Sequence, residues 1–218
     1  MSAEQPIEVR DMKIVHKAFR RAYTESAELV RANPTPSAER VTFLADHIDF
    51  GVFMLHDHHA SEDLMLYPLL EQRDAAQAEQ IDHVDHQHIE VADAIDAVSA
   101  ACAAWRAQPT AETGEALAAS LDHLNARLQP HLDDEEGFVN PLAAVFLTQE
   151  EWDAVGEHSR SAIPKNKLPI AFGMLMEPLD ESDRAYMKSG LPAPVRLLYP
   201  FLIDRPWKKY AQTLRSGT

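Results

Sequence analysis

The chain has 218 residues, a formal net charge of -15 and a single cysteine. That length supports one large domain or a domain with an extension, and the acidity argues against a nucleic-acid partner, which needs clustered Lys and Arg. Cys102 alone forms neither an intramolecular disulfide nor a cysteine-based metal cluster, no apolar run reaches the roughly 18 residues of a membrane span, and Met1 to Arg10 lacks an export-signal pattern, so a cytoplasmic protein is expected.

Apolar periodicity predicts a first helix from between Ile7 and Asp11 to about Ala32, ended by Asn33-Pro34-Thr35-Pro36. Its inward stripe is Met12, His16, Phe19, Tyr23, Ala27 and Val30, so His16 stands where an apolar residue belongs. Ser37 is placed to cap a second helix running to about Glu71, with Val41, Leu44, Ile48, Val52, Leu55, Leu66 and Leu69 inward. His59 and Glu62 continue that stripe and His58 lies on its flank, whereas His56 and Asp63 point further out. A buried carboxylate among buried imidazoles is costly unless a cation compensates it; a surface histidine cluster is the ordinary alternative.

The third helix carries Ile81, Val84, His88, Val91, Ile95 and Val98, and the spacing continues to Cys102 and Trp105, which makes Cys102 a small core residue. After Gln108-Pro109-Thr110 the fourth reads Leu117, Leu121, Leu124, Leu128, His131, Glu135, Phe138 and Leu142, with a kink expected at Pro130. His123, Asp133, Asp134 and Glu136 fall off this stripe and are expected in solvent. The pattern predicts an all-α fold, an up-down-up-down four-helix bundle over residues 1–147. If the ligands share one height, each turn falls midway between the ligands it separates. The midpoints near residues 38, 74 and 110 coincide with the three predicted breaks, so the histidines and carboxylates converge on one layer.

Residues 148–218 are expected to form a helical C-terminal extension packed on the bundle. Thr148-Gln149-Glu150-Glu151 is a capping box opening a helix to about His158, and short helices follow over 170–177, 182–189 and, in broken form, 194–214. Phe172, Met174, Leu175, Met176, Leu197, Leu198, Tyr199, Phe201 and Leu202 need cover, for which packing over the bundle is favoured over a membrane or partner contact. Seven Lys or Arg against one Asp from Arg184 onward make this tail basic, suited to rest on the acidic body.

Five imidazoles, His16, His58, His59, His88 and His131, with Glu62 and Glu135 are too many for one tetrahedral zinc; they suit two ions, and thiolate-free nitrogen and oxygen ligation suits iron or manganese. Over Asp11 to about Val145 the chain resembles the hemerythrin-like, or HHE cation-binding, family. The resemblance rests on Val15-His16-Lys17-Ala18-Phe19-Arg20-Arg21, His58-His59-Ala60-Ser61-Glu62-Asp63 with Leu66-Tyr67-Pro68-Leu69-Leu70, His88 with Val91, and His131-Leu132-Asp133-Asp134-Glu135-Glu136. It implies a non-heme centre of two iron ions bridged by Glu62 and Glu135, with the histidines as terminal ligands. Oxygen-carrying members use H-x-x-x-H on the third helix, but Ala92 follows His88 here; His59 is the candidate replacement, as in the F-box iron-sensor branch. Tyr23 and Tyr67 are further candidate ligands.

What the resemblance implies for function is reaction with hydrogen peroxide, dioxygen or nitric oxide in oxidative or nitrosative stress defence. Catalytic turnover and non-catalytic binding or sensing of iron or oxygen both stay open. A metal-free interaction bundle is the third class, and the absence of H-E-x-x-H disfavours a metallohydrolase.

Overall fold

A computed structural model describes residues 6–216, and every regular element among them is helical. Met1 to Gln5 and Gly217 to Thr218, the outer ends of the two expected segments, lie outside the described residues. In chain order come α1 (Arg10–Arg31), α2 (Ala38–Met65), a short α3 (Tyr67–Arg73), α4 (Ala78–Ala107) and α5 (Ala111–Asp134). α1 packs on α2 and α5, and α4 packs on the same two, which closes a four-helix ring. The helix starts follow local chemistry. The Ser37 side chain accepts a hydrogen bond from the Arg40 amide, and Thr110 and Thr113 form a reciprocal capping box at α5.

The predicted stripes of α1, α4 and α5 as far as Glu135 are buried, Cys102 among them. Each long helix also carries its polar residues between two apolar groups. Phe19, Leu55, Val91 and Leu128 belong to one apolar cluster, and Met12, Leu66, Val84 and Val139 to another. His16, His59 with Glu62, His88, and His131 with Glu135 lie between these in sequence, so the bundle encloses one polar layer capped above and below by hydrocarbon.

Two register changes depart from the expected pattern. α2 stops at Met65, Leu66 bridges to α3, and Pro68, lacking an amide hydrogen, sits in the first turn of α3; the core position therefore passes from Leu69 to Leu70, which is fully buried. α5 runs through Pro130, and the irregularity falls after the His131–Glu135 pair, in a π-helical turn at Glu135–Val139. Its cause lies downstream: Pro141 cannot donate to the Gly137 carbonyl, and the wider turn pairs the Asn140 amide with the Glu135 carbonyl instead. The extra residue moves the inward stripe from Phe138 and Leu142 to Val139 and Ala143.

The chain continues as α6 (Asn140–Phe146), α7 (Gln149–Ala162), α8 (Leu168–Met176), α9 (Glu181–Ser189) and α10 (Ala193–Tyr199), then a second π turn (Pro200–Asp204) and α11 (Arg205–Arg215). The Thr148/Glu151 capping box opens α7 as expected. α7 packs on α2, α8 on α1, and α11 on α8. Ile14 on α1 meets Met176, Leu179, Tyr199 and Ile203, and Phe50 on α2 meets Ala171 and Met174. The buried Arg40 guanidinium donates to the Thr213 and Leu214 carbonyls at 2.8 and 2.6 Å, and Arg215 pairs with Glu25 and Glu177 at 2.6 and 2.8 Å. The basic tail thus lies on the acidic body. Its expected apolar cover is only half realised. Met174, Met176 and Tyr199 are buried, but Leu197, Leu198, Phe201 and Leu202 are exposed, because Tyr199 and Ile203 take the inward face of that helix. Among the described residues no helix is long and apolar enough to cross a membrane.

Candidate metal centre

All seven predicted ligands are buried, and they form two adjoining groups. In one, His16, His58, Glu62 and Glu135 present ligand atoms within 4.8 Å of one another; in the other, His59, His88 and His131 do the same. α1 supplies His16, α2 supplies His58, His59 and Glu62, α4 supplies His88, and His131 and Glu135 flank the junction of α5 with its π turn. His16 Nε2 lies 3.3 Å and His131 Nε2 3.4 Å from Glu135 Oε2, and His58 Nε2 lies 3.4 Å from Glu62 Oε1. His88 Nε2 joins the two groups, at 3.8 Å from Glu62 and 3.9 Å from Glu135. His59 stacks on His88 with ring centroids 4.2 Å apart and stands edge-on to His131 at 5.0 Å. His59 is thus grouped with His88 and His131, whereas Ala92 on α4 is exposed.

These side chains satisfy one another only in part: His88 Nε2 and His131 Nε2 lie 3.1 Å apart, within hydrogen-bond distance. His16 Nε2, His58 Nε2, His59 Nε2, both Glu62 oxygens and Glu135 Oε2 are buried with no hydrogen-bond partner. Buried polar groups are ordinarily paired, and six orphans aimed at one layer fit cation ligation. The electrostatics divide the ligands: at His16, as at His88, burial is outweighed by carboxylate contacts, here Glu135 and Glu136, which raise the imidazole. Burial, and then the neighbouring Glu135, push the Glu62 carboxyl well above its ordinary range. Burial acts on Glu135 the same way, but His131, His16 and His88 outweigh it and hold that carboxyl well below. Burial lowers the His58 imidazole to about 3 and His131 to about 4, and takes His59 well below the ordinary value, so all three are neutral as ligation requires. For His88 burial is outweighed by its bonds to Asp63 and Glu135, which raise it to about 10.

A second set of residues turns the imidazoles inward. His16 Nδ1 lies 3.1 Å from Glu136 Oε1, and Glu136 is held by Arg20 at 3.0 Å. His88 Nδ1 bonds Asp63. His131 Nδ1 lies 3.1 Å from Gln87 Oε1, whose amide donates to Asp134 at 2.8 Å. Occupying each Nδ1 from outside leaves Nε2 facing the centre, an arrangement recurrent in histidine–metal sites. Asp63, Asp133 and Asp134 are exposed as expected and Glu136 is half-buried, yet Asp63 and Glu136 bond imidazoles directly, Asp134 does so through Gln87, and Asp133 pairs with Arg20 at 2.7 Å. The signal that could have located them is adjacency: Asp63 and Glu136 each follow an inner glutamate, and each buried imidazole needs a partner for its second nitrogen.

The two tyrosines separate. Tyr67 donates to Glu135 Oε1 at 2.8 Å, whereas the Tyr23 hydroxyl donates to the Gly51 carbonyl at 2.9 Å, about 10 Å along α2 from His58. Tyr23 is a core residue with a satisfied hydroxyl and is not brought to the centre. Burial and the two glutamates raise Tyr67, which keeps it a proton donor. A surface cleft of about 320 Å³, lined by Asp63, Pro68, Glu71, Asp85 and Ile89, has the buried Tyr67 and His88 as its inner wall.

Comparison with curated proteins and with solved structures returns no match. The family model described as the hemerythrin HHE cation binding domain matches residues 8–143, which run from before α1 into α6 and contain all seven clustered side chains. With the helical bundle and its histidine and glutamate layer in place, that match shows that the chain belongs to the hemerythrin HHE cation-binding domain family.

Proposed function

We propose that this chain holds two iron ions in the central layer and reacts there with small oxidants, namely hydrogen peroxide, dioxygen or nitric oxide. The observation that carries the reading is the set of six buried, unpartnered nitrogen and oxygen atoms directed at one layer from α1, α2 and the π turn after α5. His16 and His58 would serve one ion, His59, His88 and His131 the other, and Glu62 and Glu135 would bridge them. When bound, such a pair supplies one- and two-electron redox chemistry and Lewis acidity. The chain contributes the rest. Glu136, Asp63 and Gln87 fix the imidazole orientations. Tyr67 holds a proton on its hydroxyl at Glu135 Oε1, within the layer and at the inner wall of the surface cleft. Phe19, whose ring centroid is 5.2 Å from that of His58, and Leu55 and Leu66 exclude bulky organic substrates and bulk water.

The bundle over 1–147 is the metal-binding unit in this proposal, and 148–218 is an extension whose described residues cover the outer faces of α1 and α2. The test is to follow peroxide consumption and the absorption spectrum on adding azide or nitric oxide. Steady turnover with a spectral change is expected. Stoichiometric binding without turnover would transfer the assignment to iron or oxygen binding or sensing, and silence in both assays would refute reactivity at this centre.

A further inference from the structure

One surface is unexplained by the metal centre. In α10 and the π turn after it, Leu197, Leu198, Phe201 and Leu202 are exposed by 79%, 46%, 55% and 44%, with Ala193, Pro194 and Pro200 exposed beside them. The spacing of one, three and four residues places the four large side chains on one helical face. Cations border that face. Arg196, Arg205, Lys208 and Lys209 are exposed, and the Arg205 guanidinium stands 4.3 Å over the Phe201 ring. The segment is too short and too charged to cross a membrane, and it is an apolar ridge with a basic rim on an otherwise acidic molecule.

We infer that this ridge docks reversibly on bilayers containing anionic phospholipid. Charge complementarity decides between the occupants. From Arg184 onward the chain has seven Lys or Arg against one Asp within a protein of net charge -15, so an anionic surface attracts this end and repels the remainder, which fixes the orientation. A second copy of the chain fits less well. A two-fold interface through the ridge sets the patch against itself and brings Arg196 and Arg205 against their own copies, with the half-buried Asp204 as the only acid in the stretch to offset them. Lipid phosphates offset those same cations while leucine and phenylalanine side chains enter the acyl boundary.

The test is flotation of the full-length protein with vesicles of phosphatidylcholine alone and of phosphatidylcholine with equimolar phosphatidylglycerol. Co-flotation is expected only with phosphatidylglycerol at low salt, and its loss is expected near 0.5 M NaCl, roughly where screening removes surface attraction. The double substitution Phe201→Asp, Leu202→Asp should abolish binding. Arg196→Gln with Arg205→Gln should weaken it about 25-fold, from roughly a fivefold factor for each surface cation. Both variants should keep wild-type far-UV dichroism and metal content, since none of these side chains touches the central layer. Absence of co-flotation at low salt would overturn the inference, as would equal binding to both vesicle types. So would sedimentation velocity showing a wild-type dimer that the Asp variant converts to monomer, which would assign the ridge to a second copy.

Discussion

Glu62→Gln distinguishes a carboxylate kept for a cation from one kept for packing, because the expected effect differs between metal-free and iron-loaded protein. Glu62 is fully buried, neither of its oxygens has a hydrogen-bond partner, and it shares the layer with a second carboxylate, Glu135. Without iron the glutamine keeps the shape and removes the buried acid, and its amide can donate to His58 Nε2, which lies 3.4 Å from Glu62 Oε1. Replacing buried ionic groups by neutral ones of the same shape is neutral to stabilising by about 1–4 kcal/mol. At about 2–4 °C per kcal/mol for a chain of this size, the Tm of metal-free protein should stay level or rise by up to about 16 °C. With iron loaded the same change removes a ligand from both proposed ions. A hundredfold loss of affinity withdraws about 2.7 kcal/mol of linkage, so Tm should fall by roughly 5–10 °C. The assay is scanning calorimetry of wild type and variant, each stripped by chelator and each reconstituted with iron. An equal fall in both forms would refute the reasoning, because Glu62 would then be a packing residue.

The two phenols should respond differently. Tyr67→Phe should slow peroxide consumption with iron content retained, and Tyr23→Phe should cost about 1 kcal/mol of stability, the worth of its bond to the Gly51 carbonyl, with turnover unchanged; the reverse pattern would misplace the proton donor. Asp63→Asn should weaken metal affinity by about ten- to a hundredfold in a chelator competition, as expected for the partner of a ligand imidazole, while the exposed His86→Ala should leave it unchanged. His47, away from the centre and 3.0 Å from the Tyr210 hydroxyl, is lowered by burial to about 4. A histidine depressed on folding stabilises fully above its unfolded value and loses that contribution as pH falls toward 4. Wild type should therefore lose about 2 kcal/mol more than His47→Gln between pH 7 and pH 5 in denaturant titrations. Parallel losses would show that His47 does not titrate with folding.

The bundle was legible because each long helix carries its apolar residues at helical spacing and the turns before α2 and α5 carry proline and a capping hydroxyl. The seven central side chains were legible because polar residues stand on apolar stripes at equal height, as at His16 between Met12 and Phe19. Beyond Glu135 the period failed. A proline four residues downstream of Gly137 removes one rung of the ladder, and a fixed 3.6-residue count cannot show that the helix absorbs this by a π turn rather than a bend. Helical angle alone places Asp63 and Glu136 outward, and it singles out nothing at Gln87; their contacts to imidazoles on neighbouring helices depend on the distance between helices, which no single stripe encodes. Tyr23 and Tyr67 occupy similar apolar positions, and only the packed structure shows that one hydroxyl meets Gly51 and the other Glu135. The exposed ridge has the same origin: composition marks Leu197 to Leu202 as apolar but does not say which face the bundle covers.

The most direct test of the central claim is metal content per chain, measured by elemental analysis of protein purified from iron-supplemented cells, together with its absorption spectrum. Seven buried ligand side chains in two adjoining groups predict close to two iron ions per chain, falling toward one or none in Glu135→Ala. One zinc per chain with no iron, or full iron retention in Glu135→Ala, would contradict it.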